Sequence, residues 1–224
     1  MVMPSLKEIR EMVITAFFPA RCPYCNKVIY RTECGCKDCL KKLPEYSYKR
    51  YAWGGYLCAA ALPYENNYAK SVRRLKFGNR GDFAKPLAAQ MVQAILEIHE
   101  GVAFDVVTAV PMHKTDKRRR GYNQAELLAR ECAAMLQLPY AELLEKYRRN
   151  KPQHETKGSD REKNVRGVFR LLNREETSGK RILLVDDIIT TGYTLGECAR
   201  ILKQGKCADI GCAVVCTVVE NRFE

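Results

Sequence analysis

The sequence predicts an α/β protein: an open parallel sheet flanked by helices, preceded by a small N-terminal segment built around four cysteines. Three observations carry this. Aliphatic, strand-like runs alternate with helix-period segments through the second half of the chain, the pattern of parallel strands joined by crossover helices. Two Cys-x2-Cys pairs, Cys22/Cys25 and Cys36/Cys39, stand ten residues apart near the N-terminus. Finally, RILLVDDIITTGYTL, Arg181 to Leu195, places two adjacent acids and a hydroxyl-rich turn after a run of four aliphatic residues. With 224 residues the chain can bury a real core, as one large domain or as a main domain with an appendage.

Taken in order, MVMPSLKEIREMVITAFFPARC reads as a short amphipathic helix leading into the cysteines. Glu8 and Glu11 among its basic residues, and the lack of a continuous apolar core, argue against a secretory signal. No apolar run approaches the length needed to cross a bilayer, so no membrane insertion is expected. Five of the eleven cysteines fall between Cys22 and Cys39. Each Cys-x2-Cys pair is a tight knuckle whose two thiolates can share a metal, and two knuckles complete the tetrahedral four-sulfur site that Zn²⁺ prefers. Such a site leaves no position open for water and would be structural, supplying much of the folding energy of a segment with little core. Cys36 restores the Cys-x2-Cys spacing; Cys34 is a neighbour or a substitute. Disulfides and an iron–sulfur cluster are the competing readings. Cys58, Cys132, Cys198, Cys207, Cys212 and Cys216 sit in apolar or helical surroundings and read as buried free thiols. Both groups suit a reducing compartment, and the cytoplasm is expected.

Residues 1–50 are assigned to the N-terminal helix and four-cysteine segment, and 51–224 to the main domain. From Leu40 to Phe83 the tyrosines, Trp53 and the Gly54–Gly55 pair suggest a linker followed by a short β-rich segment. AKPLAAQMVQAILEIHEG, Ala84 to Gly101, has apolar residues at helical spacing and a glycine stop. FDVVTAVPM is a buried strand ended at Pro111, and NQAELLARECAAMLQL a helix with Leu127, Leu128, Cys132, Met135 and Leu136 as its apolar stripe. Lys151 to Arg166 lacks periodicity and reads as a functional loop. RILLVDD is a strand. In TLGECARILKQGK, a helix, Leu195, Cys198, Ala199 and Leu202 share a face ahead of Gly205; ADIGCAVVCTVV is the last strand.

In an open α/β sheet, ligands bind outside the carboxyl ends of the strands. Backbone N–H groups of the turn from Thr190 to Thr194, with threonine hydroxyls and the helix dipole, suit a phosphate dianion. Asp186 and Asp187 would repel phosphate but suit donor hydroxyls or a divalent cation. A phosphorylated sugar combines both demands. A Walker B acid looks similar, but the chain has no G-x4-G-K-[ST]; a Rossmann G-x-G-x-x-G is absent too. The formal charge of +12 points to polyanionic partners, with clusters at Lys117–Arg120 and between Lys146 and Arg170.

Val185 to Thr194 resembles the phosphoribosyl pyrophosphate (PRPP) signature of type I phosphoribosyltransferases. The wider arrangement is similar to the ComF family of competence proteins, also called the GntX type, which joins a four-cysteine zinc segment to a phosphoribosyltransferase domain. AVPMHKTDKRRRGYNQAELLAR and DREKNVRGVF match that family in order, and YAKSVRRLKFGNRGD more loosely.

The resemblance implies that Asp186 and Asp187 bind the ribose hydroxyls of PRPP. Ile188, Ile189, Thr190, Thr191, Gly192, Tyr193 and Thr194 would form the 5-phosphate loop, Tyr193 standing where many relatives carry a smaller residue. Met112, His113 and Lys114 would form the pyrophosphate turn, with one of Arg118, Arg119 and Arg120 beside it. Arg161, with Asn164, would lie on a closing flap that brings a guanidinium to the leaving diphosphate. Asp186, Asp187 and Arg161 are thus the catalytic candidates, for displacement at the anomeric carbon assisted by Mg²⁺. The family also implies a role in uptake and processing of transforming DNA. Its partners would be PRPP, single-stranded DNA and other competence proteins such as a DNA-uptake helicase. Tyr51 to Asp82 is the expected acceptor hood, without a base-recognition signature. The competing reading is a non-catalytic single-stranded DNA-binding protein, in which Tyr46, Tyr48, Tyr51 and Trp53 stack on bases and PRPP is a regulatory ligand.

Overall fold

The computed structural model describes residues 19–149 and 166–219. The helix expected at the N-terminus, and the expected flap residues Arg161 and Asn164, lie outside them.

Strands β1 (Tyr48–Ala52) and β2 (Tyr56–Pro63) form a hairpin whose turn holds Gly54 and Gly55 at φ of 88° and 83°, a left-handed conformation that glycine adopts at no steric cost. β2 then runs parallel to β7 (Asp209–Thr217), β7 to β6 (Arg181–Ile189), and β6 to β3 (Val106–Ala109). The sheet order is β1-β2-β7-β6-β3. Leu183, Leu184, Val214 and Val215 are inaccessible to solvent, because helices cover both faces of these central strands. Burying each such side chain contributes about 1.5–3 kcal/mol.

Helices α3 (Ala84–Ile98) and α5 (Gln124–Leu136) pack on each other and on one face of the sheet; α6 (Tyr193–Gln204) covers the other. On α5 the buried residues are Ala125, Leu128, Ala129, Cys132 and Ala133, while Met135 is exposed and Leu136 half-buried. The stripe is therefore rotated from the expected one: small residues face α3, and their close approach puts Cys132 Sγ at 3.9 Å from the Ala88 carbonyl. The six thiols outside the cysteine-rich segment are all buried.

A larger correction concerns Asn66–Phe77, expected within a β-rich segment, which is helix α2. Ala69, Val72 and Leu75, three residues apart, point inward, and the helix stops at Gly78. β1 and β2 belong to the main sheet. A two-stranded ribbon that sequence pattern did not reveal, β4 (Leu144–Lys146) paired antiparallel with β5 (Phe169–Leu171), brackets the loop between them. The turn after β3 is followed by a short helix, α4 (Lys114–Arg120), closed by Gly121 at φ 90°.

The cysteine-rich segment, with helix α1 (Lys37–Leu40), docks on α2. Tyr24 is buried edge-on against Tyr68, with ring centres 5.8 Å apart, and Arg74 donates to the carbonyls of Pro23 and Tyr24 at 3.1 and 3.3 Å.

Candidate functional site: a carboxylate pair and an anion-binding turn

β6 ends at Ile189, and Thr190 and Thr191 lie exposed before α6 begins at Tyr193. Gly192 caps that helix at φ 75°. A Cβ there would sit 2.8 Å from the Cα of Ala52, and one on Gly196 only 2.2 Å from the carbonyl oxygen of Trp53. Two glycines one turn apart thus let the β1–β2 turn lie directly on the loop, where the Trp53 N–H donates to the Gly192 carbonyl at 3.2 Å. The Trp53 ring meets that of Tyr193 at 6.2 Å. Asp186 and the residues from Ile188 to Leu195 line a small cavity of ≈ 30 Å³. Thr190, Thr191 and Thr194 are among the lining residues, and the first turn of α6 opens here, a donor set suited to a phosphate.

The two acids leave β6 on opposite faces. Asp187 is buried, with Oδ1 at 2.9 Å from Lys76 Nζ and Oδ2 without a hydrogen-bond partner among the described residues. Its backbone N–H donates to Asp186 Oδ1 at 2.8 Å. Burial, and then the neighbouring Asp187, push the Asp186 carboxyl up to about 7 against the opposing pull of Lys76 and Lys146. Lys146, on β4, is itself lowered by burial. Near neutral pH the Asp186 carboxyl is therefore poised between its protonated and ionised forms.

β3 and β6 are neighbours, with Ala109 opposite Val185, so the turn after β3 emerges beside the acids. The Val110 N–H donates to the Val185 carbonyl at 2.9 Å. Asn123 braces this turn from α5: its Nδ2 donates to the Val110 carbonyl at 3.0 Å, while its Oδ1 accepts the Ala125 N–H at 3.1 Å. His113 caps α4, accepting the Thr115 N–H at 3.3 Å; Met112 is half-buried beside it. Lys114 is exposed and paired with Glu145 at 3.0 Å. Of the three consecutive arginines Arg120 is the half-buried one, donating to Gln124 and lying 5.0 Å from the Phe77 ring centre; Arg118 and Arg119 are exposed.

The acids and the threonine loop are thus together at one strand end, with Met112, His113, Lys114 and Arg120 at the next; Arg161 lies outside the described residues. Sequence reasoning missed Lys76 and Lys146 as neighbours of the acids, and Trp53 and Gly196 as supports of the loop. Lys76 stands in a run rich in lysine and arginine, where composition singles out none of them.

The thiols of Cys22, Cys25, Cys36 and Cys39 lie within 4.8 Å of one another, and Cys25 and Cys36 at 3.5 Å. Four sulfurs about 2.3 Å from a common Zn²⁺ would span distances of this order, so the donor set fits a structural metal. Cys34 lies outside the cluster. Burial raises the Cys22 thiol, but N–H groups of Cys25, Cys36 and Tyr24 outweigh it and bring it to about 7, ready to ionise on metal binding. Among the described residues no helix is long and apolar enough to cross a membrane.

Residues 119–224 match the model of the phosphoribosyl transferase domain. Competence protein F of Haemophilus influenzae is 26% identical over 212 residues, 84% of this chain and 93% of its own length. Competence protein ComFC of Bacillus subtilis is 29% identical over 66% of this chain and 58% of its own. Among solved structures, the allosteric regulatory enzyme of purine biosynthesis overlays with a TM-score of 0.40 at 20% identity, across 64% of this chain; the chain spans 30% of that enzyme. The four-cysteine segment, the strand–loop–helix site and the two curated relatives agree: the chain is similar to the competence proteins F and ComFC, and its residues 119–224 match a phosphoribosyl transferase domain.

Proposed function

We propose that this protein binds PRPP with Mg²⁺ and acts as a phosphoribosyltransferase-type protein in the handling of transforming DNA. The observation that carries the reading is the buried Oδ2 of Asp187, unpartnered among the described residues, beside a threonine turn opening a helix. A sugar hydroxyl would satisfy the first, and a 5-phosphate the second. Asp186 would hold the vicinal hydroxyl, its proton available to donate. N–H groups of Thr191 to Thr194 and the hydroxyls of Thr190, Thr191 and Thr194 would receive the phosphate. The turn from Val110 to Lys114, with Arg120, would face the diphosphate; Mg²⁺, arriving with that diphosphate, would neutralise the departing charge. Positive charge developing on the ribose would be stabilised by the carboxylates, and Arg161 would approach the leaving group from the loop. Cys22, Cys25, Cys36 and Cys39 would hold Zn²⁺ as a structural ion.

Calorimetric titration of PRPP and Mg²⁺ into the metal-loaded protein tests this, alongside a variant carrying Asp186→Asn and Asp187→Asn. The expected result is measurable binding that weakens about tenfold or more in the variant.

One observation favours single-stranded DNA as a partner of the same protein. A cavity of ≈ 560 Å³ lies between the cysteine-rich segment and the start of α3; Arg21, Arg31, Arg80 and Lys85 line it with the acids Glu33 and Asp82, the latter paired with Arg80. Tyr30, 80% exposed, lies in the chain segment that forms one wall. A basic cleft near an exposed aromatic suits a phosphate backbone with unstacked bases. Binding of an oligonucleotide should then fall steeply with salt, whereas PRPP binding should depend on Asp186 and Asp187. Whether a competence helicase docks here would be read from co-purification.

A further inference from the structure

We infer that Lys76 is a positioning residue of the sugar site: its ammonium pins one oxygen of Asp187 and leaves the other to accept a ligand hydroxyl. This rests on the sugar-phosphate reading above.

The geometry is specific. Lys76 Nζ stands 2.9 Å from Asp187 Oδ1, and the two side chains are 22% and 4% exposed. Asp187 Oδ2 has no hydrogen-bond partner among the described residues. A buried carboxylate that served only to tie α2 to the sheet would have both oxygens satisfied, because a buried acceptor left open is costly. Here the fold holds the second oxygen open at the carboxyl end of a central parallel strand, next to Asp186 and ahead of the threonine turn. A donor arriving from a ligand is the partner it lacks.

The lysine is braced to do this. α2 buries Ser71, Val72 and Leu75 just before it, and Gly78 caps the helix just after. The Tyr122 hydroxyl donates to the Leu75 carbonyl at 2.5 Å, and the Arg120 guanidinium lies 5.0 Å from the Phe77 ring centre. The residues on either side of Lys76 are thus held by the segment that follows the pyrophosphate turn. Its charge matters as well as its contact. Two adjacent carboxylates would repel an anionic sugar phosphate, and Lys76 offsets one of them. No other ion pair reaches either acid among the described residues.

The experiment compares wild type with Lys76→Gln, Lys76→Arg, Asp187→Asn and the double variant Lys76→Gln/Asp187→Asn. Each is titrated with PRPP and Mg²⁺, with ribose 5-phosphate and with inorganic phosphate, and its melting temperature recorded. Lys76→Gln should weaken both sugar phosphates by about tenfold and inorganic phosphate by about twofold or less, and Lys76→Arg should recover most of the loss. In the double variant the added loss over Asp187→Asn alone should stay below about threefold, since Lys76 acts through Asp187. The double variant removes both charges, so this comparison remains readable where Lys76→Gln alone fails to fold. Additive losses, equal weakening of inorganic phosphate, or unchanged sugar-phosphate binding in Lys76→Gln would each overturn the inference. A wild-type protein that binds neither sugar phosphate would overturn the underlying reading and the inference with it.

Discussion

Replacing Gly196 by alanine sets helix propensity against packing, and the structure decides which wins. Gly196 lies in the first turn of α6, where alanine in place of glycine favours the helix by up to about 1 kcal/mol. The added methyl would stand 2.2 Å from the Trp53 carbonyl oxygen and 2.8 Å from its Cβ. The first is a backbone atom, so no rotamer change relieves the contact, and the β1–β2 turn must retreat by about 1 Å to reach ordinary contact distance. That retreat breaks the Trp53-to-Gly192 hydrogen bond at 3.2 Å, worth about 1 kcal/mol, and overpacking adds about 1–3 kcal/mol. Set against the propensity gain, the net destabilisation is about 1–3 kcal/mol. At about 2–4 °C per kcal/mol for a chain of this size, the melting temperature should fall by about 2–12 °C. Gly55→Ala is the control: φ is 83° and nothing lies within 4 Å, so its cost is the left-handed backbone alone, about 1–2 kcal/mol. Gly196→Ala should also weaken phosphate-loop binding, whereas Gly55→Ala should not. A Gly196→Ala protein that melts at or above wild type would refute the seating of the hairpin on the loop.

Asp186→Asn should stabilise the ligand-free protein while weakening PRPP binding. Its folded pKa of about 7 lies above the ordinary 3.8, so the folded state binds the extra proton between these values. Wild-type stability from this group is therefore full below pH ~4 and lost as pH rises through ~7. The gain from the variant, on the order of 1–2 kcal/mol, should appear at pH 8 and vanish near pH 4 in denaturant titrations. Cys36→Ser should lose the metal and lower the melting temperature, while Cys34→Ser keeps one ion per chain, as elemental analysis would show; equal metal loss in both would contradict the cluster as drawn. His99 is buried, its ring 2.9 Å from the Cys212 carbonyl and edge-on to Phe104, and burial lowers its pKa. Its contribution is present above pH ~6.5 and lost as pH falls toward the folded value. His99→Gln should flatten that part of the stability profile between pH 7 and 5.

The strand, threonine turn and helix from Arg181 to Gln204 were legible because each level agreed: an aliphatic run, acids at its end, small residues in the turn and a helical stripe after it. The cysteine knuckles were legible because metal geometry dictates spacing. α2 was not, since NNYAKSVRRLKF hides three inward residues among asparagines and cations, and its tyrosine suggested a strand. The ribbon of β4 and β5 escaped because strands three residues long carry no periodicity. Lys76 is not visible as part of the site when its segment is placed within a linker and a short β-rich stretch. Its approach to Asp187 depends on helix α2 crossing to the end of β6, a tertiary fact. Local pattern reported the loop at the strand end, and was silent about what braces it.

The measurement that tests the central claim most directly is calorimetric titration of PRPP with Mg²⁺ into the metal-loaded protein, against the variant carrying Asp186→Asn and Asp187→Asn. The account predicts binding to wild type and a loss of about tenfold or more, about 1.4 kcal/mol, in the variant. A folded wild-type protein with no detectable PRPP binding, or a variant that binds as well as wild type, would contradict it.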